Sequence, residues 1–203
     1  MKKLLILLLS AVLIFSSVFR SEQRISADTM TPVCGYTLMN GVSNVTIYID
    51  IPSGASYWQT YITSSANNWM YTGWDNPIYI QFVSSNYGST FDFYAYPNTY
   101  WTNQGHYGIA AQTIHRSPYA TVVSPKHNNW LYADIYINDD IFRSDLFTST
   151  MAHTTVRHEM GHAFGLDEYP SNPNSIMYNG SDYDQVSTVQ QCDNDAILYL
   201  YGD

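Results

Sequence analysis

His158 and His162 stand four residues apart, with Glu159 beside the first, in the run His158-Glu-Met-Gly-His-Ala-Phe-Gly-Leu-Asp-Glu-Tyr169. On a helix this spacing stacks both imidazoles on one face, where they can reach one metal ion. Glu159 points to a neighbouring part of the same helix, close enough to act on a metal-bound water without being a ligand. Gly165 is placed to stop the helix, because glycine tolerates the left-handed conformation that turns a chain off a helix axis. That turn swings the next residues beneath the metal, so a third ligand can arrive three residues later, at Glu168. Asp167 is the alternative ligand, or a loop residue bonding backbone. Beyond the N-terminal leader, Glu159 and Glu168 are the only glutamates in the chain.

The elements that must hold this run are legible in outline. Val45–Asp50 alternates, is rich in β-branched and aromatic residues, and reads as a first strand ended by Pro52-Ser-Gly. Trp58, Ile62, Ala66 and Trp69 recur at helical spacing within Ser56–Met70, predicting a helix that backs the sheet. Further strands are expected over Pro77–Val83, Phe91–Tyr96 and Ala133–Asn138, with an edge strand and surface loops between Pro97 and Asn129. The motif helix is expected to start at Ser149 or Thr150, whose hydroxyl can cap it. A last helix, about Thr188 to Leu200, buries Ala196, Ile197 and Leu200.

Lys2 and Lys3 precede an apolar run from Leu4 to Phe19, and the chain turns polar at Arg20. This is the pattern of an export signal, short for a membrane span, with cleavage after Ala27 or nearer Ser17; an uncleaved anchor is the competing reading. Residues 28–203 then form one domain with a real core. That part carries four basic and sixteen acidic residues, a net charge of about −12. Such acidity argues against nucleic acid or anionic lipid as partner. The expected molecule is a secreted monomer with no stable membrane association. In an exported chain the two cysteines, Cys34 and Cys192, are expected to form one disulfide tying the termini together.

The helix run, Gly165, the leader and Ser175-Ile-Met-Tyr178 downstream occur together. Their conjunction resembles the metzincin class of zinc endopeptidases, where His-Glu-x-x-His-x-x-Gly-x-x-His precedes a methionine-containing turn. Within that class the chain looks most like the matrixin-type catalytic domain, which Asp193-Asn-Asp-Ala-Ile-Leu-Tyr-Leu-Tyr-Gly202 also matches in kind and order. The resemblance implies an α+β zincin fold: a twisted mixed sheet, an active-site helix, a backing helix and a C-terminal helix. It also implies a catalytic Zn2+ held by His158, His162 and the residue at 168, and Glu159 as general base. Met177 would form the floor of the site, and a cleft would hold an extended peptide or protein substrate. The departure is Glu168, where the family pattern has histidine. Zinc accepts carboxylate oxygen, but the extra negative ligand makes the metal less electrophilic and its water less acidic.

Other residues carry weaker expectations. His106, His115 and His127 read as polar loop histidines, and His153 as a surface or packing residue. Tyr178 could face the cleft. Asp139, Asp140, Asp182 and Asp184 could supply oxygens to Ca2+ or be solvated loop carboxylates. Thr31-Pro-Val-Cys-Gly35 is faintly similar to the segment with which matrix metalloprotease propeptides cap zinc. Two non-proteolytic readings stand beside the enzyme: an exported binding domain that kept the fold, and a tyrosine-, Asn- and Ser-rich surface that binds glycan.

Overall fold

The computed structural model describes residues 30–51, 57–179 and 186–202. The leader, Asp182 and Asp184 lie outside them. Five strands form one sheet: β1 (Val45–Asp50), β2 (Ile80–Phe82), β3 (Phe91–Tyr96), β4 (Ala111–Arg116) and β5 (Tyr132–Asn138). Their order is β2-β1-β3-β5-β4. All neighbours run parallel except β4, which lies antiparallel to β5 on the edge. The helices are α1 (Tyr57–Met70), α2 (Asn98–Asn103), α3 (Asp139–Phe142), α4 (Ser149–Phe164) and α5 (Gln191–Tyr201). A mixed sheet flanked by these helices is an α+β, zincin-like architecture.

Period-two alternation decides which face is covered. Phe91 and Phe93 of β3 and Ala133, Ile135 and Ile137 of β5 are fully buried against the helices. From α1 the same core receives Trp58, Ile62, Ala66 and Trp69, and from α4 it receives Val156, Met160, Ala163 and Phe164. Phe164 meets Trp69 and Phe91 edge-on, at centroid distances of 5.3 and 5.0 Å. Each such aromatic contributes roughly 1.5–3 kcal/mol by leaving water. Together they clamp α4 against the sheet along the turns that carry the histidines. On the opposite sheet face Tyr94, Tyr96, Tyr100 and Tyr136 stack, the closest pair being Tyr96 and Tyr100 at 4.2 Å. Their ring faces are turned on one another.

Several expectations need correction. β2 is shorter than the apolar run suggested, and α2 and α3 occupy stretches read as loop. The α4 cap is Thr148, whose hydroxyl accepts the Met151 N–H at 3.2 Å. The expected Cys34–Cys192 disulfide is absent: both cysteines are free. Cys34 Sγ lies against the Leu166 carbonyl, whereas Cys192 Sγ lies against Asn172, Asn174 and Asp193. The two ends are tied by hydrogen bonds instead, since Thr31 donates its N–H to the Cys192 carbonyl at 3.0 Å and its hydroxyl to Asp193. Asp139 and Asp140 also have protein partners: Asp139 accepts from Trp58 and Arg143, and Asp140 from the Asn98 N–H. Nothing in this arrangement supports a calcium site there. No helix of the described residues is long and apolar enough to cross a membrane.

Candidate metal centre

Gly165 ends α4 at φ +99°, donating its N–H to the Gly161 and His162 carbonyls, while Leu166 N–H reaches Gly161 O at 3.0 Å. This is the paired closure of a Schellman-type cap, and it needs a left-handed residue. A Cβ at Gly165 would also stand 2.8 Å from the Trp130 ring. After the turn, Leu166 and Val33 form an antiparallel bridge, flanked by Cys34 N–H to Gly165 O and Asp167 N–H to Pro32 O. Asp167 is occupied as a loop residue, with one oxygen accepting the Glu168 N–H and the other pairing with Lys126 at 2.5 Å.

Glu168 therefore returns to the histidines. Its Oε2 stands 3.5 Å from His158 Nε2 and its Oε1 3.4 Å from His162 Nε2. The three side chains each offer a ligand atom within 4.8 Å of the others, forming a partly buried cluster that could coordinate a metal. Donors about 2.1 Å from a tetrahedral zinc lie about 3.4 Å apart, close to each of these two nitrogen–oxygen spacings. Both imidazoles are already oriented: His158 Nδ1 lies 2.9 Å from Ile176 O and His162 Nδ1 3.0 Å from Leu166 O. Protonated Nδ1 atoms donate to those carbonyls, leaving both Nε2 lone pairs aimed at the centre. Glu168 Oε2 is buried yet accepts no hydrogen bond. An anionic oxygen so placed calls for a cation.

The electrostatics agree. Burial alone would lower the His162 pKa, but the Glu168 carboxylate in front of it and the charge of Glu159 raise it to about 9. Burial would raise the pKa of Glu168, yet the two histidines bring it down to about 2. With no metal bound, the cluster favours a positive charge at its centre, which a proton on imidazole supplies.

Glu159 is buried, and its Oε2 accepts from the Thr113 hydroxyl of β4 at 2.7 Å. Two residues on, the His115 ring Nε2 donates to the His162 carbonyl at 2.8 Å while the ring packs edge-on against Trp130. His115 is thus a buried strand residue and not a loop histidine. His127 is exposed, His106 packs near Trp101, and His153 is half-buried against Tyr61. Beneath the helix, Met177 is fully buried against Gly161, and Tyr178 is buried as well.

The turn through Met177 has its own anchor in Asp193, fully buried at the start of α5. One Asp193 oxygen accepts the Thr31 and Ser175 hydroxyls at 2.5 Å each, and the other accepts the Ile176 and Gln190 N–H groups at 3.0 and 2.9 Å. Ile176 thus receives support on its N–H while its carbonyl holds His158. Sequence reading missed Thr113, His115 and Asp193 as supports of the site. Only the last carried a local signal, an acidic residue three positions after a helix boundary.

The architecture is zincin-like, and the His158, His162 and Glu168 cluster is a candidate metal centre. No family model matches the chain, and no curated protein is significantly similar to it in sequence.

Proposed function

We propose that this chain is an exported zinc endopeptidase of the metzincin class, closest in kind to the matrixin-type catalytic domain, with glutamate as third ligand. Residues 28–203 would be its single catalytic domain, following a signal peptide over residues 1–27. The observation that carries the reading is the convergence of His158, His162 and Glu168 on one point, beside a buried Glu159. Zinc bound by His158, His162 and Glu168 would act as a Lewis acid, polarising the attacking water and the scissile carbonyl.

The chain's own residues do the rest. The Ile176 and Leu166 carbonyls hold the two imidazoles in the ligating tautomer. Glu159 takes the proton from the attacking water and passes it to the leaving amine nitrogen. The Met177 side chain packs beneath the Gly161 turn and stiffens the floor. Substrate alignment falls to the free edge of β4. The Ala110 and Arg116 carbonyls bond inward to Asn138 and Leu131, whereas the His115 carbonyl bonds outward to Val123. By the alternation of an antiparallel ladder, Ala111 and Thr113 present their backbone groups outward, where an extended peptide can add as a strand.

The test is zinc per mole and cleavage of unfolded casein, measured on the purified protein and its Glu168→Ala form. One zinc and activity in the parent, with both lost in the variant, is the expected result. Unchanged zinc and activity in the variant would place the third ligand elsewhere.

A further inference from the structure

Thr113 stands where the sheet edge meets the helix, and it faces both. Its backbone belongs to the outward-facing set on β4, and its side chain points inward to α4. The Thr113 Oγ1 lies 2.7 Å from Glu159 Oε2 and 2.8 Å from the Glu159 backbone carbonyl oxygen. One hydroxyl proton therefore has two acceptors on the same residue. Carboxylate Oε2 is fixed by this contact, and Oε1 is left for the water. Glu159 is otherwise buried, and its neighbour His115 pins the same helix one turn further on by donating to the His162 carbonyl.

We infer that Thr113 is a positioning residue for Glu159: it holds the carboxylate in the rotamer that faces the attacking water and links that rotamer to the strand on which the substrate docks. The inference rests on the endopeptidase reading. A hydroxyl suits the task because its proton can be given to a carboxylate oxygen. While Glu159 is a carboxylate, Thr113 donates to Oε2. Once Glu159 has taken the water's proton on Oε1, Oε2 is still an acceptor and keeps the same hydrogen bond, so Oε1–H stays aimed at the leaving amine. One contact thus serves both protonation states, and no heavy atom has to move. Valine has the same shape and cannot donate. Alanine would leave the carboxylate free to rotate.

The experiment compares the parent with Thr113→Val and Thr113→Ser for zinc per mole, melting temperature, and kcat and KM on unfolded casein. Thr113→Val should keep its zinc and lower kcat by about ten- to a hundredfold with KM little changed, the size expected for a misaimed catalytic group. Thr113→Ser should recover most of that loss. Equal losses in valine and serine, or no loss in valine, would overturn the proposal. A zinc-loaded parent that does not cleave casein would defeat the endopeptidase reading separately. The positioning claim would then be decided by crystal structures of parent and Thr113→Val: a displaced Glu159 carboxylate in the variant supports it, and an unmoved one overturns it.

Discussion

Gly161 lies directly over Met177: a Cβ on Gly161 would overlap the methionine sulfur and come within 3.3 Å of the Trp69 ring. The helix that carries His158 and His162 can approach the floor of the site only because the residue between them has no side chain. Both Met177 and Trp69 are fully buried, so neither can swing into solvent to make room. Gly161→Ala should therefore lower stability by about 1–3 kcal/mol, as overpacking does, despite alanine's better helix propensity. The readout is a lower urea midpoint with an unchanged slope. Adding Met177→Ala should relieve the clash, giving a coupling of roughly 0.5–3 kcal/mol between the two changes. Simple additivity would show that the methionine is not what the new methyl group strikes.

Asp193 controls the site at one remove. Two hydroxyls and two backbone N–H groups converge on its carboxylate, and one of them, the Ile176 N–H, belongs to the residue whose carbonyl orients His158. In Asp193→Asn the amide nitrogen cannot accept, so buried donors lose their partner. The cost should be about 3 kcal/mol, because bonds to a charged acceptor are the stronger kind. A second effect separates this residue from an ordinary core acceptor. With the turn released, zinc affinity should fall about ten- to a hundredfold, as it does when a ligand's hydrogen-bonding support is removed. Competition with a chromogenic chelator measures this, and undiminished affinity in a folded Asp193→Asn protein would break the proposed link.

How much of this was legible follows from the distances along the chain. His158, Glu159, His162 and Gly165 sit on one helix and its cap, so their geometry follows from helical spacing and one left-handed residue. Glu168 is three positions further on. The supports of Glu159 and His162 come from Thr113 and His115, separated from them by 46 and 47 residues. The strand that brings them there, Ala-Gln-Thr-Ile-His-Arg, has too few apolar residues to show which side faces in. The missing disulfide has a similar origin. Two cysteines near the ends suggested a tie between the termini, and a tie exists, but Thr31 and Asp193 make it. Helices α2 and α3 are too short to show the periodicity that identifies longer helices.

His115 should make the protein acid-sensitive. Burial against Trp130 pushes its pKa down to about 4, while the His162 carbonyl it donates to opposes that shift. In the unfolded chain the ring titrates near the ordinary 6.5, so between those values the unfolded state binds the extra proton. Stability therefore falls as pH drops below about 6.5, and the loss from this residue approaches about 3 kcal/mol near pH 4. Glutamine can offer an N–H to the same carbonyl without a titrating ring. Urea unfolding of the metal-free protein at pH 7 and pH 5 should show the parent losing about 2 kcal/mol more than His115→Gln. Equal losses would mean that the His115 ring takes up its proton as readily in the folded protein as in the unfolded chain.

Glu168→His tests the one departure from the metzincin pattern at the level of the ligand itself. The Glu168 side chain is partly exposed, with its two oxygens 3.4–3.5 Å from the histidine nitrogens, so the position reaches both the cluster and solvent. With Glu168 ligating as proposed, replacing its anionic oxygen with a neutral nitrogen would keep three ligands and raise the net charge of the centre by one. Zinc content should remain one per mole. The activating effect on water should increase, because less negative charge is donated to the ion, and the acid limb of the pH–rate profile should move to lower pH. Chelator competition and casein cleavage across pH 5–8 check both statements. A folded Glu168→His protein that lost its zinc would show that position 168 does not ligate; retained zinc with an unmoved acid limb would mean that the limb reports another group.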